Sequence, residues 1–253
     1  MNTKNENLEE FLNRARKGEL ESCQGCPRRP TLDNLTVFSE NCKAHFASSH
    51  PLIMCLTRDP AGSPGGSART QVNCFYCNTD QTAQNVLHLF NKYLRIHGIT
   101  PRDWYATNAV KHGTIGENKA PDVVTIQKCS KVLEGEIQDL KPKIIIAFGK
   151  EAAESLAVIS YFKNYRSTVR DMVADAEGHI RPPCRWLYDT YVAVLPHPSN
   201  RGINNYGWST VEGWWKQLGQ CIRNNCLIDR DNTLSGISSQ RRTQRENNEG
   251  GDI

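Results

Sequence analysis

The stretch Lys143-Ile-Ile-Ile-Ala-Phe148, followed at once by Gly149, is a continuous apolar run of the length of one strand. An unbroken run of β-branched residues is typical of a parallel strand that is covered on both faces of its sheet. Three other short runs predict its neighbours, namely Leu52 to Leu56, Trp104 to Val110 and Tyr191 to Leu195. The chain therefore predicts a buried, mainly parallel sheet of four strands.

Helical patterns separate these strands. The predicted helices run from Thr79 or Asp80 to about Ile96, from the cap Asp122 to about Leu140, from Glu151 to about Ser160, and from Thr210 to Asn224, with a short first helix over Asn7 to Lys17. The segment from Cys23 to His50 has the Pro, Asn and Ser content of irregular chain. Strands that alternate with helices predict an α/β fold, here a three-layer α/β/α sandwich around a four-stranded, mainly parallel sheet.

Composition limits the class of protein. With 253 residues, 38% of them hydrophobic, the chain is long enough for one large domain. We expect this domain over residues 1–228, including an N-terminal metal-binding segment, and a disordered polar tail over 229–253. The absence of a long apolar run and of a secretory signal predicts a cytoplasmic protein with no membrane contact, and we expect a monomer. The net charge of +4 permits nucleic-acid binding without requiring it.

Polar motifs follow three of the four predicted strands. They are Thr57-Arg58-Asp59-Pro60-Ala61-Gly62, Asn108-Ala109-Val110-Lys111-His112 and His197-Pro198-Ser199-Asn200. Because ligands of open α/β sheets bind outside the carboxyl ends of the strands, a carboxylate, an amide and an imidazole should meet at one edge. Such a set can recognise a base, place a water molecule and stabilise an anion.

Taken together and in this order, the three motifs resemble those of the uracil-DNA glycosylase superfamily. Segment 107–112 and the run from Cys129 to Gly149 are similar to the iron–sulfur, family 4-like branch. Two positions depart from that branch: Thr57 stands where the family usually has Gly, and Asp59 resembles the aspartate of the uracil-specific branch. The basic, His-containing insertion of the self-crosslinking branch is absent after His112, so self-crosslinking is not expected.

The resemblance implies an enzyme, a DNA glycosylase that flips uracil or a modified pyrimidine out of DNA and hydrolyses its N-glycosidic bond, leaving an abasic site. Asp59 would support the sugar cation and the attacking water, and His197 would stabilise the departing base. The substrate-binding residues implied are Arg58, Pro60, Ala61, Phe75 and Asn108, and the DNA-binding residues are Lys111, Ser199, Asn200 and Arg201, with Ile203 or Tyr206 as the wedge that enters the DNA.

Two alternatives stay open at this point. The enzyme can act on another base, a 5-substituted pyrimidine or a deaminated purine, for example in defence against modified foreign DNA. Ala61 favours the first of these, because a bulky tyrosine at this position in the uracil-specific branch blocks C5 of the pyrimidine. A protein of a different class, a non-catalytic binder of modified DNA, would have no need of the Asp59 carboxylate.

Ten cysteines in a chain without an export signal point to metal or redox chemistry. The resemblance implies a [4Fe–4S] cluster held by Cys23, Cys26, His112 and Cys129, with His112 where the family usually has a cysteine. Spacing alone offers a zinc site of Cys23, Cys26, Cys42 and His45 as the alternative.

Overall fold

The computed structural model describes residues 7–30, 51–60, 81–113, 119–160, 168–174 and 190–227 with their side chains, and residues 36–41, 71–73, 114 and 184–185 by their backbone. Its helices are α1 Leu8–Arg16, α2 Gln81–Tyr93, α3 Val123–Leu140, α4 Lys150–Val158, α5 Val169–Val173, α6 Asn200–Asn204 and α7 Trp208–Ile222, which continues into a π-helical turn, Arg223–Leu227. The strands are β1 Thr36–Asn41, β2 Ile53–Thr57, β3 Gln71–Asn73, β4 Trp104–Asn108, β5 His112–Thr114, β6 Ile144–Phe148, β7 Cys184–Arg185 and β8 Tyr191–Leu195.

The main sheet has the order β4-β2-β6-β8-β7. Its first four strands are parallel, and β7 adds two antiparallel residues at one edge. All residues of β4 and β6 are buried, as expected for strands covered on both faces. Helix α2 packs against α7, and α3 against α4. The prediction of a three-layer sandwich around four mainly parallel strands is confirmed.

A second, smaller sheet has the order β3-β1-β5. Strand β1 pairs in parallel with β3 and antiparallel with β5. The prediction that the chain from Cys23 to His50 is irregular is therefore wrong over residues 36–41. The pairing of Phe38 with His112 places this small sheet at the end of the segment that follows β4.

The N-terminal segment packs on α3. Phe11 of α1 lies against Gly135, where an added Cβ would come within 2.7 Å of the Phe11 ring. Phe11, Ala15, Leu20, Cys23 and Val132 form a small apolar cluster beside the main core. This packing fixes residues 20–30 near the edge of the sheet at which the motifs converge. The polar tail proposed for 229–253 lies outside the described residues.

Within the described ranges, no helix is both long and apolar enough to cross a bilayer.

Candidate active site

The carboxyl ends of β2 and β4 lie side by side. Thr57 and Asn108 are register partners at the last position of the two strands. The pairing continues beyond the strands, since Ala109 N donates to Thr57 O at 2.8 Å and Val110 N donates to Arg58 O at 2.9 Å. The loop that carries Asp59 is thus held against the loop that follows Asn108. Since β8 is parallel to both strands, the His197 loop leaves from the same edge of the sheet.

Two guanidinium groups hold the Asp59 carboxylate. Arg28 Nη1 donates to Oδ2 at 2.6 Å, and Arg58 Nε donates to Oδ1 at 2.5 Å. The side chains of Arg28 and Asp59 are each only 6% exposed, whereas that of Arg58 is 26% exposed. Arg28 also donates to the carbonyl oxygens of Lys119, at 2.8 Å, and His112, at 3.3 Å. It therefore ties the N-terminal segment to both loops of the site.

Arg28 was not among the predicted site residues. It lies 31 residues before Asp59 and follows the Cys23/Cys26 pair, so nothing in the local sequence connects it to a carboxylate. Arg28 is buried and donates to three acceptors, Asp59 Oδ2 and the carbonyl oxygens of His112 and Lys119, so it sets the position of Asp59.

Only one of the two polar atoms of the Asn108 amide group, Oδ1, has a hydrogen-bond partner among the described residues. Thr57 Oγ1 donates to its Oδ1, while Nδ2 is buried and has no partner among the described residues. Because a buried donor without a partner is costly, this Nδ2 can donate to a hydrogen-bond acceptor that enters the site. Thr57, the residue that departs from the usual Gly, thus turns the amide so that its donor end is available.

Contacts from both sides hold the loop of His197. The Ser199 backbone N–H donates to His197 Nδ1 at 3.2 Å, so the neutral ring carries its proton on Nε2. Ser199 also caps α6, accepting from Gly202 N. From α2, the buried Asn85 donates to Pro198 O at 2.9 Å. These contacts present His197 as a hydrogen-bond donor through Nε2.

Two glycines allow the loops to pack closely. An added Cβ at Gly202 would lie 1.9 Å from His197 O, and one at Gly113 would lie 1.9 Å from Pro60 O. Any side chain at either position would push a loop of the site away from the sheet.

A comparison with known families identifies this arrangement. The profile of the uracil DNA glycosylase superfamily matches residues 42–218, more than half of the chain. The chain belongs to this superfamily. Its members are typically DNA glycosylases, so membership indicates base excision from DNA as the general activity and DNA as the partner. No curated protein matches the chain.

The prediction that Lys111 binds DNA is wrong. Its side chain is 1% exposed, and Nζ donates to Thr107 Oγ1 at 2.7 Å, to Asn108 O at 2.6 Å and to the carboxylate of Glu136. Glu136, fully buried on α3, also accepts from Tyr105 Oη at 2.7 Å. An ammonium so deep and fully bonded cannot reach a phosphate. In this glycosylase fold it instead anchors the backbone of Asn108.

The remaining predicted DNA contacts lie at the surface of the same loop. Asn200 and Arg201 are exposed and Ser199 is half-buried. Asn200 Oδ1 accepts from Asn85 Nδ2 at 3.2 Å. Of the two candidate wedges, Ile203 is 1% exposed and is therefore excluded in this conformation, whereas Tyr206 is half-buried and packs edge-on against Trp214. Ala61 and Phe75 fall outside the described residues.

Three of the four predicted metal ligands come close together. A hydrogen bond from the Cys129 thiol lowers the pKa of Cys26 to about 6, and the same bond raises the pKa of Cys129. Cys23 lies within electrostatic range of both, and burial raises its pKa. These three thiols lie where the N-terminal segment meets α3.

His112 does not join them in this arrangement. Its Nε2 contacts Arg16 O at 3.1 Å, and burial lowers its pKa to about 4, so the ring is neutral at physiological pH. A bond from His112 to a metal would have to use Nδ1. Among the described residues, no three His, Cys, Asp or Glu side chains are arranged to hold a metal ion. Cys42 and His45, the alternative zinc ligands, lie outside the described residues.

Proposed function

We propose that the protein excises uracil, or a modified pyrimidine that presents a carbonyl group in the same way, from DNA. The observation that carries the proposal is the buried donor Nδ2 of Asn108, which has no partner within the described part of the chain and lies at the edge from which the Asp59 and His197 loops also leave. A carboxylate, an amide donor and an imidazole donor at one edge match the needs of base excision: support of a cation, recognition of a base edge and stabilisation of a leaving anion.

Recognition in this proposal depends on which end of the Asn108 amide faces the base. With Oδ1 engaged by Thr57, the amide offers a donor. Uracil has a carbonyl acceptor at position 4, whereas cytosine has an amino donor there. Two facing donors would leave both unsatisfied in a buried site, so uracil is favoured over cytosine.

The chemical step divides between His197 and Asp59. The bond from sugar C1′ to the base nitrogen breaks, and its electron pair leaves with the base. His197 Nε2–H donates to the base oxygen on which negative charge develops. The Asp59 carboxylate stabilises the positive charge on the sugar ring. A water molecule adds to C1′, and the proton that it loses neutralises the base anion, which gives the abasic sugar and the free base. Preorganised donors of the His197 kind are typically worth about 3 kcal/mol.

Arginines at the edge of the site provide the phosphate contacts. Arg58 is the more exposed of the two partners of Asp59, so a DNA phosphate can compete for its guanidinium while Arg28 stays in place. Arg201, exposed on α6, provides a second contact, with Ser199 and Asn200 beside it on the loop.

Replacing Asp59 with Asn tests the catalytic part. The substitution keeps the shape of the side chain and removes its charge, so single-turnover excision from a uracil oligonucleotide should fall by at least ~100-fold with DNA affinity largely kept. His197→Ala should have a similar effect. Excision is measured by alkali cleavage at abasic sites, and circular dichroism checks that each variant is folded. Near-normal excision by Asp59→Asn would remove the carboxylate from the mechanism.

A panel of oligonucleotides with different modified bases decides the substrate. The small Ala61 favours 5-substituted pyrimidines as further substrates, and Ala61→Tyr should suppress their excision selectively. Cleavage of uracil alone would place the steric barrier at C5 elsewhere in the site. Excision of deaminated purines only would replace the pyrimidine assignment, and binding without abasic sites would identify a non-catalytic binder.

We also propose that Cys23, Cys26 and Cys129 hold a structural [4Fe–4S] cluster, with His112 as the fourth ligand through Nδ1. The contact between the Cys26 and Cys129 thiols, with Cys23 as an electrostatic neighbour, supports this proposal, because thiolates are the usual ligands of such clusters. The three side chains would have to turn towards a common centre to bind it. A cluster here would fasten the N-terminal segment to α3, away from the chemical step.

A further inference from the structure

A groove of about 390 Å³ lies between the first turns of α2 and α7. Its lining residues are Gln81, Gln84, Asn85, His88, Trp208 and Glu212, and we call it the Trp208 groove. Its volume falls in the range of small-molecule sites, roughly 300–1,000 Å³. Helix α2 leads into β4, and α7 follows β8, so both helices begin at the carboxyl edge of the sheet. The groove therefore opens on the same edge as the proposed active site.

Asn85 joins the Trp208 groove to the His197 loop. Its Nδ2 donates to Pro198 O at 2.9 Å and to Asn200 Oδ1 at 3.2 Å, and its Oδ1 accepts from Gln81 Nε2 at 3.0 Å. One wall of the groove thus also supports the loop that faces DNA. A ligand in the groove would lie beside the nucleotide whose base is excised.

The lining of the groove suits a flat, uncharged ligand that forms hydrogen bonds. Trp208 is 41% exposed, and the His88 ring stands perpendicular to it at 5.8 Å between centroids, which holds the indole in place. Gln81 and Gln84 add amide groups. The Glu212 carboxylate is neutralised by Lys92 at 2.6 Å. A carboxylate in the lining opposes a phosphate, whereas an exposed indole flanked by amides can stack on a base and bond to its edge.

We propose that the Trp208 groove binds one unpaired nucleobase of the DNA, stacked on Trp208, at a position near the excised nucleotide. The inference rests on the proposed function, because that function supplies the DNA. It adds a second base site, outside the pocket of Asp59, Asn108 and His197, which would hold an unpaired neighbouring base while the target base is out of the helix.

Removing bases one at a time tests this. Fluorescein-labelled oligonucleotides carry a non-cleavable abasic analogue in place of the target nucleotide, and a second abasic residue scans the three positions on either side. Affinity is measured by anisotropy at fixed salt. One position should stand out, with binding to the wild-type protein weakened roughly 5- to 150-fold, the scale of one base–aromatic stack.

Variants of Trp208 test whether this residue causes the sensitivity to base removal. Trp208→Ala should weaken binding of the oligonucleotide without the second abasic residue by a similar factor, and removal of the base at the identified position should then weaken binding no further. Trp208→Phe should keep most of the wild-type affinity and most of the response to base removal. Ile96→Ala serves as the control, since Ile96 is an exposed apolar residue beyond the far end of α2. An Ala variant with wild-type affinity, or with the wild-type response to base removal, would overturn the groove proposal.

A parallel excision assay on uracil DNA separates the two proposals. If the wild-type protein excises uracil while Trp208→Ala keeps the wild-type affinity or the wild-type response to base removal, the groove proposal alone fails. If the wild-type protein neither binds nor cuts the DNA, the proposed function fails and the groove proposal fails with it.

Discussion

At the scale of single residues, the site is built from charges and amides that are held by partners distant in the chain. Arg28 and Asp59 form a buried pair across 31 residues. Taking one member of such a pair away leaves the other charge buried and alone, which typically costs about 3–5 kcal/mol. The position of Asp59 therefore depends on a residue that lies before the part of the chain matched by the superfamily.

Arg28→Met should accordingly lower the free energy of unfolding by about 3–5 kcal/mol in urea titrations. The double variant Arg28→Met/Asp59→Asn should recover part of this loss, because it no longer buries an unpaired carboxylate. Arg102→Met, at an exposed position, serves as the control and should change stability by less than about 0.5 kcal/mol. Additive effects of the two substitutions would show that the ion pair does not stabilise the fold.

Thr57 controls the orientation of the Asn108 amide. Thr57→Val keeps the shape and removes the hydroxyl donor, so Oδ1 loses its partner and the amide is free to turn. Uracil excision should fall by ~10-fold or more, in line with the ~1–3 kcal/mol of an unsatisfied buried group. Thr57→Ser retains the hydroxyl and should excise nearly normally. Equal rates for the Val and Ser variants in single-turnover assays would contradict this role.

At the scale of elements, close packing of backbone sets the loops of the site. Gly202→Ala would place a Cβ 1.9 Å from His197 O, so the loop must move and excision should drop by ~10-fold or more. Gly213→Ala is a matched control inside α7, where an added Cβ meets nothing within 4 Å. This control should gain up to about 1 kcal/mol of stability, because Ala favours helix over Gly, with excision unchanged. Wild-type excision by Gly202→Ala would show that the loop tolerates the shift.

Among the elements, the parallel strands of the main sheet could be predicted from the sequence and the small sheet could not. The four parallel strands of the main sheet have five residues each, and the sequence located each of them to within a residue or two at both ends, whereas the two-residue β7 was not predicted. The small sheet was missed because β3 and β5 have three residues each, and β1 depends on pairing partners as far as 78 positions away, as between Thr36 and Thr114. Short polar strands of this kind leave no local periodic signal.

Some parts of the candidate site could likewise be predicted from the sequence, and others could not. The ends of β2, β4 and β8 were predictable, because parallel strands bring their carboxyl ends to one edge. Lys111 was misassigned because a lysine after a strand is usually exposed. A signal was available in α3, where Glu136 falls in the apolar stripe between Leu133 and Leu140 and so requires a buried cation. Arg28 gave no such signal, since its partner depends on the tertiary fold.

At the scale of the whole molecule, the N-terminal segment, residues 7–30, supports the proposed active site through contacts with α3 and with Asp59. Phe11 packs on α3, Arg28 forms an ion pair with Asp59, and Cys23 and Cys26 lie near Cys129. A metal held by these thiols would connect the segment covalently to the main domain. Loss of the metal should then act on stability first, and on excision only through the position of Arg28.

Metal analysis of protein purified without oxygen tests this connection. The proposed cluster predicts a brown protein with stoichiometric iron, which Cys26→Ser should lose together with several degrees of thermal stability. Cys221→Ser, a half-buried thiol on α7, should keep its iron and melt like the wild-type protein. Stoichiometric zinc would favour the alternative ligand set, in which Cys42 and His45 replace His112 and Cys129. A metal-free wild-type protein that folds and excises normally would show that the three thiols pack without metal, and the Cys26→Ser variant should then keep both its fold and its activity.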